Sequence, residues 1–479
     1  MSKYEAERPS RIHYRLRMGS LMLFADTLAL GMAGVSSHLA MQMLGVNLSI
    51  EEALPQVLIF FAGCLALFSV SKMYPGAGIS PAVEIQFTFQ YSLMAFISSL
   101  ILQLLLLPNH SSYSLNLLLT WIISAILILL IRWTVRIAAV QIGLWREPVL
   151  VVASAEKAHQ VAEYFHKRLR LGFWPVMVAI SDGNELASPF NKEISFRLDQ
   201  LSNHINQIRA YGIQTAIIDN SGMPEIWSTP SGKSLFRALP RLIFLTDFSW
   251  VEGASIQLHD LEGLLGVEAR QTDLSVFELT IKRVMDFLVA LALLLVLSPV
   301  FLAIALLIWL DSDGPILFRQ DRIGQKHKTI RVYKFRTMVS NARELLIEHL
   351  TSNDQARMEW QKTQKLKDDP RITRVGRWLR KFSLDELPQL YNILIGELSL
   401  VGPRPITQSE THHYGDLIET YSRTKPGLTG LWQVSGRNNT TYEERVRFDT
   451  YYTQNWSLWL DIYIVLRTIW VVLSRDGAY

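Results

Sequence analysis

The sequence holds a single cysteine, Cys64, set inside an apolar run, so it has neither a disulfide framework nor a CxxC pair for a structural metal. Excess charge is also scarce. A formal net charge of +4, with the basic residues scattered rather than striped, gives no argument for a nucleic-acid partner. The basic N-terminus (Lys3, Arg8, Arg11, Arg15, Arg17) is followed by an apolar run that lacks a small-residue cleavage site, which favours a retained membrane anchor over a removed signal peptide. Glycine is missing where a dinucleotide would need it. The strand-like run Pro148 to Ala153 leads into Ala153-Ser-Ala-Glu-Lys157 instead of GxGxxG, and side chains there, Glu156 included, would crowd a pyrophosphate. Pro230-Ser-Gly-Lys-Ser234 lacks the first glycine of a P-loop. These absences weigh against redox and epimerase chemistry.

Apolar length, by contrast, is abundant and unevenly placed. Of 479 residues, enough for two or three folded units, the first 140 hold four runs, at roughly 18–44, 53–71, 86–108 and 114–138. Each is long enough to cross a bilayer as a helix, which takes about 20 residues. The joining loops carry almost no basic residues, with Lys72 the exception, whereas Arg132, Arg136, Arg146 and Lys157 follow the fourth run. With the basic N-terminus, this asymmetry places both ends of a four-helix bundle in the cytoplasm. Asp26 and His38 lie within the first run and read as polar contacts between helices.

A fifth run, Phe287 to Leu310, is broken at its centre by Ser298-Pro299. Basic residues flank it on both sides: Arg270, Lys282 and Arg283 before, Arg319, Arg322, Lys326 and Lys328 after. A spanning helix would strand one of these clusters on the wrong side, so a hairpin that enters and leaves on the cytoplasmic side is the more economical reading than a kinked crossing. Between the bundle and this run, short apolar strands (148–153, 176–180, 215–219, 242–246) alternate with helical stretches such as Glu156 to Leu171. That alternation predicts an α/β unit with a mainly parallel sheet.

From Asp311 onward the chain is dense in glycine, proline, arginine and paired acids. Tyr333-Lys-Phe-Arg-Thr-Met338, Ser383-Leu-Asp-Glu-Leu-Pro-Gln389, Gly402-Pro-Arg-Pro405 and Lys425-Pro-Gly-Leu-Thr-Gly-Leu-Trp-Gln-Val-Ser-Gly-Arg-Asn438 each set charges beside residues that fix the backbone. Such turns let backbone amides and arginine forks approach phosphate oxygens, and Arg377, Arg380, Arg404 and Arg437 all fall here. Asp385-Glu386 is open to two readings that do not exclude each other. Ser383-x-x-Glu386 is a helix capping box, and a carboxylate at a helix start can attack phosphorus if a metal offsets the charge repulsion. The tail from Asn455 to Leu473, with Trp456, Trp459, Tyr463 and Trp470, suits either a bilayer interface or a buried core helix.

Residues 281–479 resemble the monotopic polyprenyl-phosphate phosphoglycosyl transferases, a family of bacterial sugar transferases. The resemblance rests on the Ser298-Pro299 break, YKFRTM at 333–338, DDPRITRVGRWLRKFSLDELPQLYN at 368–392, LVGPRP at 400–405 and KPGLTGLWQVSGRN at 425–438. Four helices and an α/β unit ahead of this module look like the family's long subclass. The implied fold is a membrane protein of α and α/β class. It comprises a four-helix transmembrane bundle at 1–145, a Rossmann-like domain at 146–270, and an α-rich catalytic domain at 271–479 with a re-entrant helix at 284–310.

The implied reaction moves a hexose-1-phosphate from a UDP-sugar to undecaprenyl phosphate, at the cytoplasmic face of the bacterial inner membrane. Galactose is the expected sugar and glucose the alternative. The resemblance assigns the nucleophile to Asp385, Mg²⁺ to Glu386 and phosphate to Arg380 and Arg404; Lys334, Arg336, Arg437 and Asp449 fall on family motifs as further substrate-binding candidates. It also implies a homodimer in contact with membrane lipid. Arg322-Ile-Gly-Gln-Lys-His-Lys328 departs from many relatives in lacking a second glycine near His327, which bears on the local turn and not on the reaction. A non-catalytic membrane scaffold or sensor of polysaccharide assembly is the competing reading, and it would leave Asp385 without chemical purpose.

Overall fold

The computed structural model describes residues 13–46, 48–106, 111–181, 194–219, 239–245, 254–261, 264–271, 276–363, 366, 369–435 and 440–474. It divides into two compact units, Met1–Phe248 and Ser249–Tyr479.

The first unit opens with four long helices, α1 (His13–Met43), α2 (Ile50–Val70), α3 (Pro81–Leu106) and α4 (Ser111–Gln141). All four are long and apolar enough to cross a membrane, and each begins three to five residues before the predicted run because its first turn carries polar residues that hydropathy alone does not register. Asp26 behaves as the sequence suggested. It is buried, accepts hydrogen bonds from Nε and Nη2 of Arg132 on α4, both at 2.6 Å, and accepts another from the Tyr74 hydroxyl. Glu84 on α3 adds a second carboxylate, accepting from Arg136 Nη2 at 2.7 Å and Arg132 Nη1 at 3.3 Å. Two acids and two guanidinium groups therefore satisfy one another where neither could be left unpaired. His38 departs from expectation: its ring is hydrogen-bonded to Gln42 on the same helix, at 3.2 Å, and not across to another helix by that bond.

The α/β part follows as β1 (Glu147–Ala153), α5 (Ala155–Lys167), β2 (Phe173–Ile180), β3 (Ile194–Arg197), α6 (Leu201–Ala210), β4 (Thr215–Asp219) and β5 (Arg241–Leu245). The sheet order is β3-β2-β1-β4-β5 and every pairing is parallel, as the alternation of strands and helices predicted. Central β1 is buried along its whole length, the signature of a strand covered on both faces. Edge strand β3 escapes the sequence reading because it is four residues long and only Phe196 is buried. Trp145 ties the bundle to this sheet. It is fully buried, its indole N–H donates to Arg170 O at 3.0 Å, and it shares a core with Met18, Ala77, Ala139, Phe173 and Ile217.

The second unit begins with an antiparallel hairpin, β6 (Ala254–Leu261) and β7 (Leu264–Gln271). Helices α7 (Val276–Val296) and α8 (Ser298–Asp311) then meet at a 62° bend. Proline has no N–H for the carbonyl four residues earlier, and here Ser298 Oγ donates to that carbonyl, Leu295 O, at 2.8 Å. The inner side of the bend is filled. Ala290, Leu294 and Phe301 pack on Val332, Leu390 and Ile393, while Ile304 and Ile308 pack on Phe335 and Leu379. Outward lie Leu295, Val296, Leu302, Trp309 and Leu310, each more than half exposed, an apolar surface that water would not tolerate.

The remaining elements are β8 (Leu317–Ile323), β9 (Thr329–Phe335), α9 (Ala342–Ser352), α10 (Asp354–Thr363), α11 (Arg374–Lys381), α12 (Gln389–Ile395), β10 (Ser399–Val401), α13 (Ile418–Arg423), β11 (Gly427–Thr429), α14 (Leu431–Ser435), α15 (Tyr442–Gln454) and α16 (Leu458–Ser474). Strands β8 and β9 form an antiparallel hairpin, and β10 pairs with β11 in parallel. Helix α16 has a core-facing side and an exposed apolar side: Leu460, Ile464 and Val471 are buried, whereas Leu466, Ile469 and Trp470 are about half exposed.

Candidate active site

Three backbone devices bring the charged side chains together. The first is the hairpin β8–β9, whose register sets Arg322 opposite Ile330, so that Arg322, Val332 and Lys334 share the face that lines the pocket. The second is the crossing of the segments around Gly402 and Gly427. A Cβ on Gly427 would sit 2.1 Å from Gly402 N and one on Gly402 would sit 2.4 Å from Lys425 O, so both positions require glycine. That approach sets Arg404 and Gln433 at the mouth of the same pocket. The third is the turn Leu384–Glu386, a single turn of 3₁₀ helix between α11 and α12.

The expected capping box at this turn is not formed. Ser383 has a left-handed backbone (φ 55°) and caps nothing with its side chain. An N-cap residue needs an extended backbone, whereas Ser383 closes the end of α11, its N–H donating to Arg380 O at 3.1 Å. The turn instead presents Asp385 and Glu386 side by side among cations.

A small pocket is lined by Arg322, Lys334, Glu386, Gln389, Arg404 and Gln433, with Pro405 and Leu428 among its apolar walls. Lys334 Nζ donates to Glu386 Oε1 at 2.6 Å. Burial pushes the Glu386 carboxyl up, but the charges of Lys334, Arg404 and Arg322 outweigh it and hold Glu386 below its ordinary value. Asp385 is the opposite case. Burial first, and then the neighbouring Glu386 charge, push it above the usual carboxylate range, against the pull of Lys334 and Arg380. Arg380 is held by its Nε–H donating to Thr337 Oγ1 at 2.9 Å. Two adjacent carboxylates, both desolvated but shifted in opposite directions by their neighbours, mark this turn as a candidate functional site.

The other candidates fall in different places. Arg336 is buried and points away from the pocket, donating to Ser312 O at 2.5 Å and to Ile308 O at 3.4 Å, so it ties β9 to the end of α8. Asp449 is buried behind Arg404 and accepts from the Tyr414 hydroxyl at 2.7 Å. Burial raises its carboxyl to about 7, against the Tyr414 hydrogen bond and the charge of Arg445. Ser298 and Pro299 form the bend between α7 and α8. Arg437 lies outside the described residues. Sequence reasoning left out Arg322, Gln389 and Gln433 as site residues. The latter two sit inside quoted motifs, whereas Arg322 was counted as a membrane-flanking charge and as the start of the 322–328 turn.

A magnesium ion takes one or two carboxylates and completes its shell with substrate phosphates and water. Glu386, pocket-facing, held below its ordinary value and neighboured by Lys334, Arg404 and Arg322, side chains of the types that suit phosphate, fits that donor set. Among the described residues no three acidic, histidine or cysteine side chains gather into an all-protein cage, which is the geometry of the other kind of metal site.

Comparison with known proteins settles the family. The profile of "Bacterial sugar transferase" matches residues 277–475, from the first turn of α7 to the end of α16. The undecaprenyl-phosphate galactose phosphotransferase of Salmonella typhimurium is 35% identical over 369 residues, 75% of each chain. The chain belongs to the bacterial sugar transferase family. The Salmonella match is longer than the transferase module, so the likeness to the long subclass extends ahead of α7. An exopolysaccharide production protein of Sinorhizobium fredii is 50% identical over 198 residues, 41% of this chain and 88% of its own. The UDP-glucose:undecaprenyl-phosphate glucose-1-phosphate transferase of Escherichia coli is 39% identical over 231 residues, 47% of each chain. The pocket residues all lie within the family's module.

Proposed function

We propose that the protein transfers a hexose-1-phosphate from a UDP-sugar to undecaprenyl phosphate, giving undecaprenyl-diphosphate-sugar and UMP, as an opening step of surface polysaccharide synthesis. The observation that carries this reading is the pair Asp385 and Glu386, held at one turn with opposite electrostatic shifts and surrounded by Lys334, Arg380, Arg404 and Arg322. Galactose is the favoured sugar because the galactose enzyme is 35% identical over three quarters of both chains, against 29% over 71% of this chain for the glucose enzyme of Klebsiella pneumoniae. Glucose is the second reading.

In the first half-reaction a carboxylate oxygen of Asp385 attacks the sugar-bearing phosphorus. The bond from that phosphorus to the bridging oxygen breaks, and the oxygen leaves as part of UMP. In the second, a phosphate oxygen of undecaprenyl phosphate attacks the same phosphorus, and the bond to Asp385 breaks to restore the carboxylate. Partial dehydration of Asp385 strengthens it as a nucleophile, while Arg380 balances its charge. Arg404 and Lys334 offer N–H donors to the phosphate oxygens where negative charge concentrates. Glu386 would hold Mg²⁺, which supplies charge neutralisation between two anions. Asp449 and Tyr414 support the Arg404 segment from behind, Tyr421 donating to Arg404 O at 3.1 Å.

The lipid acceptor dictates a site at the membrane surface. Both ends of the bent helix pair are fastened to the same fold. Arg283 donates to Ile393 O and Leu394 O, each at 2.6 Å, while Asp311 accepts from Val375 N at 3.0 Å and Ser312 from Arg336. A straight crossing would separate those ends by the thickness of the bilayer, about 30 Å, so the anchoring supports a re-entrant hairpin. Basic flanks on both sides assign its open end to the cytoplasm, where UDP-sugars are made.

The test uses purified protein and a panel of UDP-sugars, each labelled in the sugar, without acceptor. Expected is label retained on the peptide that contains Asp385, with UMP released. Adding undecaprenyl phosphate should discharge it. UMP release that strictly requires both substrates would sink the covalent route, and glycolipid formation by an Asp385→Asn protein would favour the scaffold reading.

A further inference from the structure

The charged groups of the site fall into an order. Asp385 has Lys334 and Arg380 as its cationic neighbours, whereas Glu386 has Lys334, Arg404 and Arg322. Asp385 and Arg380 do not line the pocket; Arg322, Arg404, Lys334 and Glu386 do. Arg380 thus belongs with Asp385 outside the pocket lining, and Arg404 and Arg322 belong with Lys334 and Glu386 inside it.

Arg322 is built into this position rather than lying on it. Its side chain is 12% exposed, Nη2 donates to Gln320 Oε1 at 2.8 Å, and Nη1 donates to Glu410 Oε2 at 3.1 Å. Glu410 is itself immobilised. The N–H and hydroxyl of Thr407 donate to it at 2.7 and 2.9 Å, and Arg445 lies 3.6 Å from its other oxygen. Arg445 in turn stacks over Trp432, as does Arg404, with guanidinium carbons 5.0 and 5.7 Å from the ring centroid. Glu410 is shared between two arginines, so the charge of Arg322 and Arg404 is not cancelled within the pocket, where Glu386 is the acid facing three cations. Such a surplus, held rigidly in a partly desolvated cleft, needs an anion.

We infer that Arg322, oriented by Glu410, binds the phosphate of the departing nucleoside monophosphate, and that Glu410 is the positioning residue for it. The inference rests on the phosphotransfer reading and deepens it. In-line displacement puts the leaving oxygen opposite the attacking one, so a phosphate that departs from a nucleophile at Asp385 moves toward the side lined by Arg322 and Arg404. The P–O bond breaks toward that side and the electron pair stays on the nucleotide oxygen, where the two guanidinium groups meet it.

The test is direct titration of UMP and of uridine into the purified full chain, beside steady-state kinetics. Arg322→Ala should weaken UMP binding tenfold or more, leave uridine binding unchanged, and lower kcat for the UDP-sugar tenfold or more, because the departing oxygen loses one of its two guanidinium partners. Arg322→Lys should recover part of the loss. Glu410→Gln should weaken UMP binding a few-fold, because Arg322 loses its anchor while the pocket keeps its charge. Thermal unfolding and elution volume confirm that each variant is folded. Unchanged UMP affinity in Arg322→Ala would overturn the inference, as would an equal loss for uridine, or a wild-type protein that binds no UMP. A wild type that binds UMP through Arg322 but transfers from no UDP-sugar would refute the phosphotransfer reading and leave this one standing.

Discussion

Lys334 Nζ lies 2.6 Å from Glu386 Oε1, and beside this pair stands Asp385, which has no salt bridge of its own among the described residues. The lysine charge favours the ionised form of both acids. Asp385 is already raised above its ordinary value, so kcat/KM should fall with acid through a limb lying above the usual aspartate range. Lys334→Met removes a charge that lowers Asp385 and Glu386, so the limb should move to higher pH. A pH profile of the two proteins checks this, and coincident acid limbs would show that Lys334 does not govern the nucleophile.

Excess chelator should stop turnover and added Mg²⁺ should restore it, since two anions must approach each other. Glu386→Gln should lose activity at every Mg²⁺ concentration yet remain in the membrane fraction. Full turnover in chelator would remove Glu386 from metal binding.

Asp449 makes stability depend on pH. Its folded value, about 7, lies above the ordinary 3.8, so between these values the native state binds more protons than the unfolded chain. Stability from this residue is therefore present in acid and lost as pH rises toward 7, by an amount on the order of a few kcal/mol. Asp449→Asn keeps an acceptor for the Tyr414 hydroxyl and cannot titrate. Thermal unfolding from pH 5 to 8 should show a declining stability in the wild type that is flatter in the variant. Parallel curves would show that Asp449 does not titrate in this range.

The sequence made the four membrane helices and the parallel sheet legible because length, apolarity and period act within one segment. Of the candidates that the motifs supplied, Lys334, Glu386 and Arg404 line one pocket, and Asp385 stands next to Glu386 on the same turn. Arg322 was hidden because its role depends on Glu410, far along the chain, and a basic residue after an apolar run reads first as a membrane flank. Arg336 erred the other way, since its motif suggested substrate while its side chain holds Ser312. The capping box failed for a local reason, the left-handed backbone of Ser383, which side-chain identity does not announce.

Asp26 and Arg132 should prove interdependent. Arg132→Met leaves a buried carboxylate short of its partner and should cost about 3–5 kcal/mol, seen as a lower unfolding temperature in detergent. Adding Asp26→Leu should recover much of the loss, because the uncompensated charge disappears. A double variant as unstable as the sum of the singles would mean that the pair is not coupled.

The last prediction concerns the direction of the bent helices. Ser298 serves the carbonyl that Pro299 leaves unserved, so the bend is chemically satisfied at its apex, and the inner residues of α7 and α8 are packed on β9, α11 and α12. Straightening would tear Phe301 from Phe335 and Leu390 and would leave Arg283 without the carbonyls at the end of α12. Pro299→Leu restores a backbone donor and weakens the bias to bend without removing that packing, so activity should fall while the protein still inserts. Single cysteines at Glu278 and Gln325, in a Cys64→Ser background, report the topology of intact cells or oriented vesicles. Labelling of both from the cytoplasmic side supports the hairpin. Labelling of position 325 from outside would mean that the pair crosses, which would carry Glu386 and its cations away from a cytoplasmic nucleotide sugar.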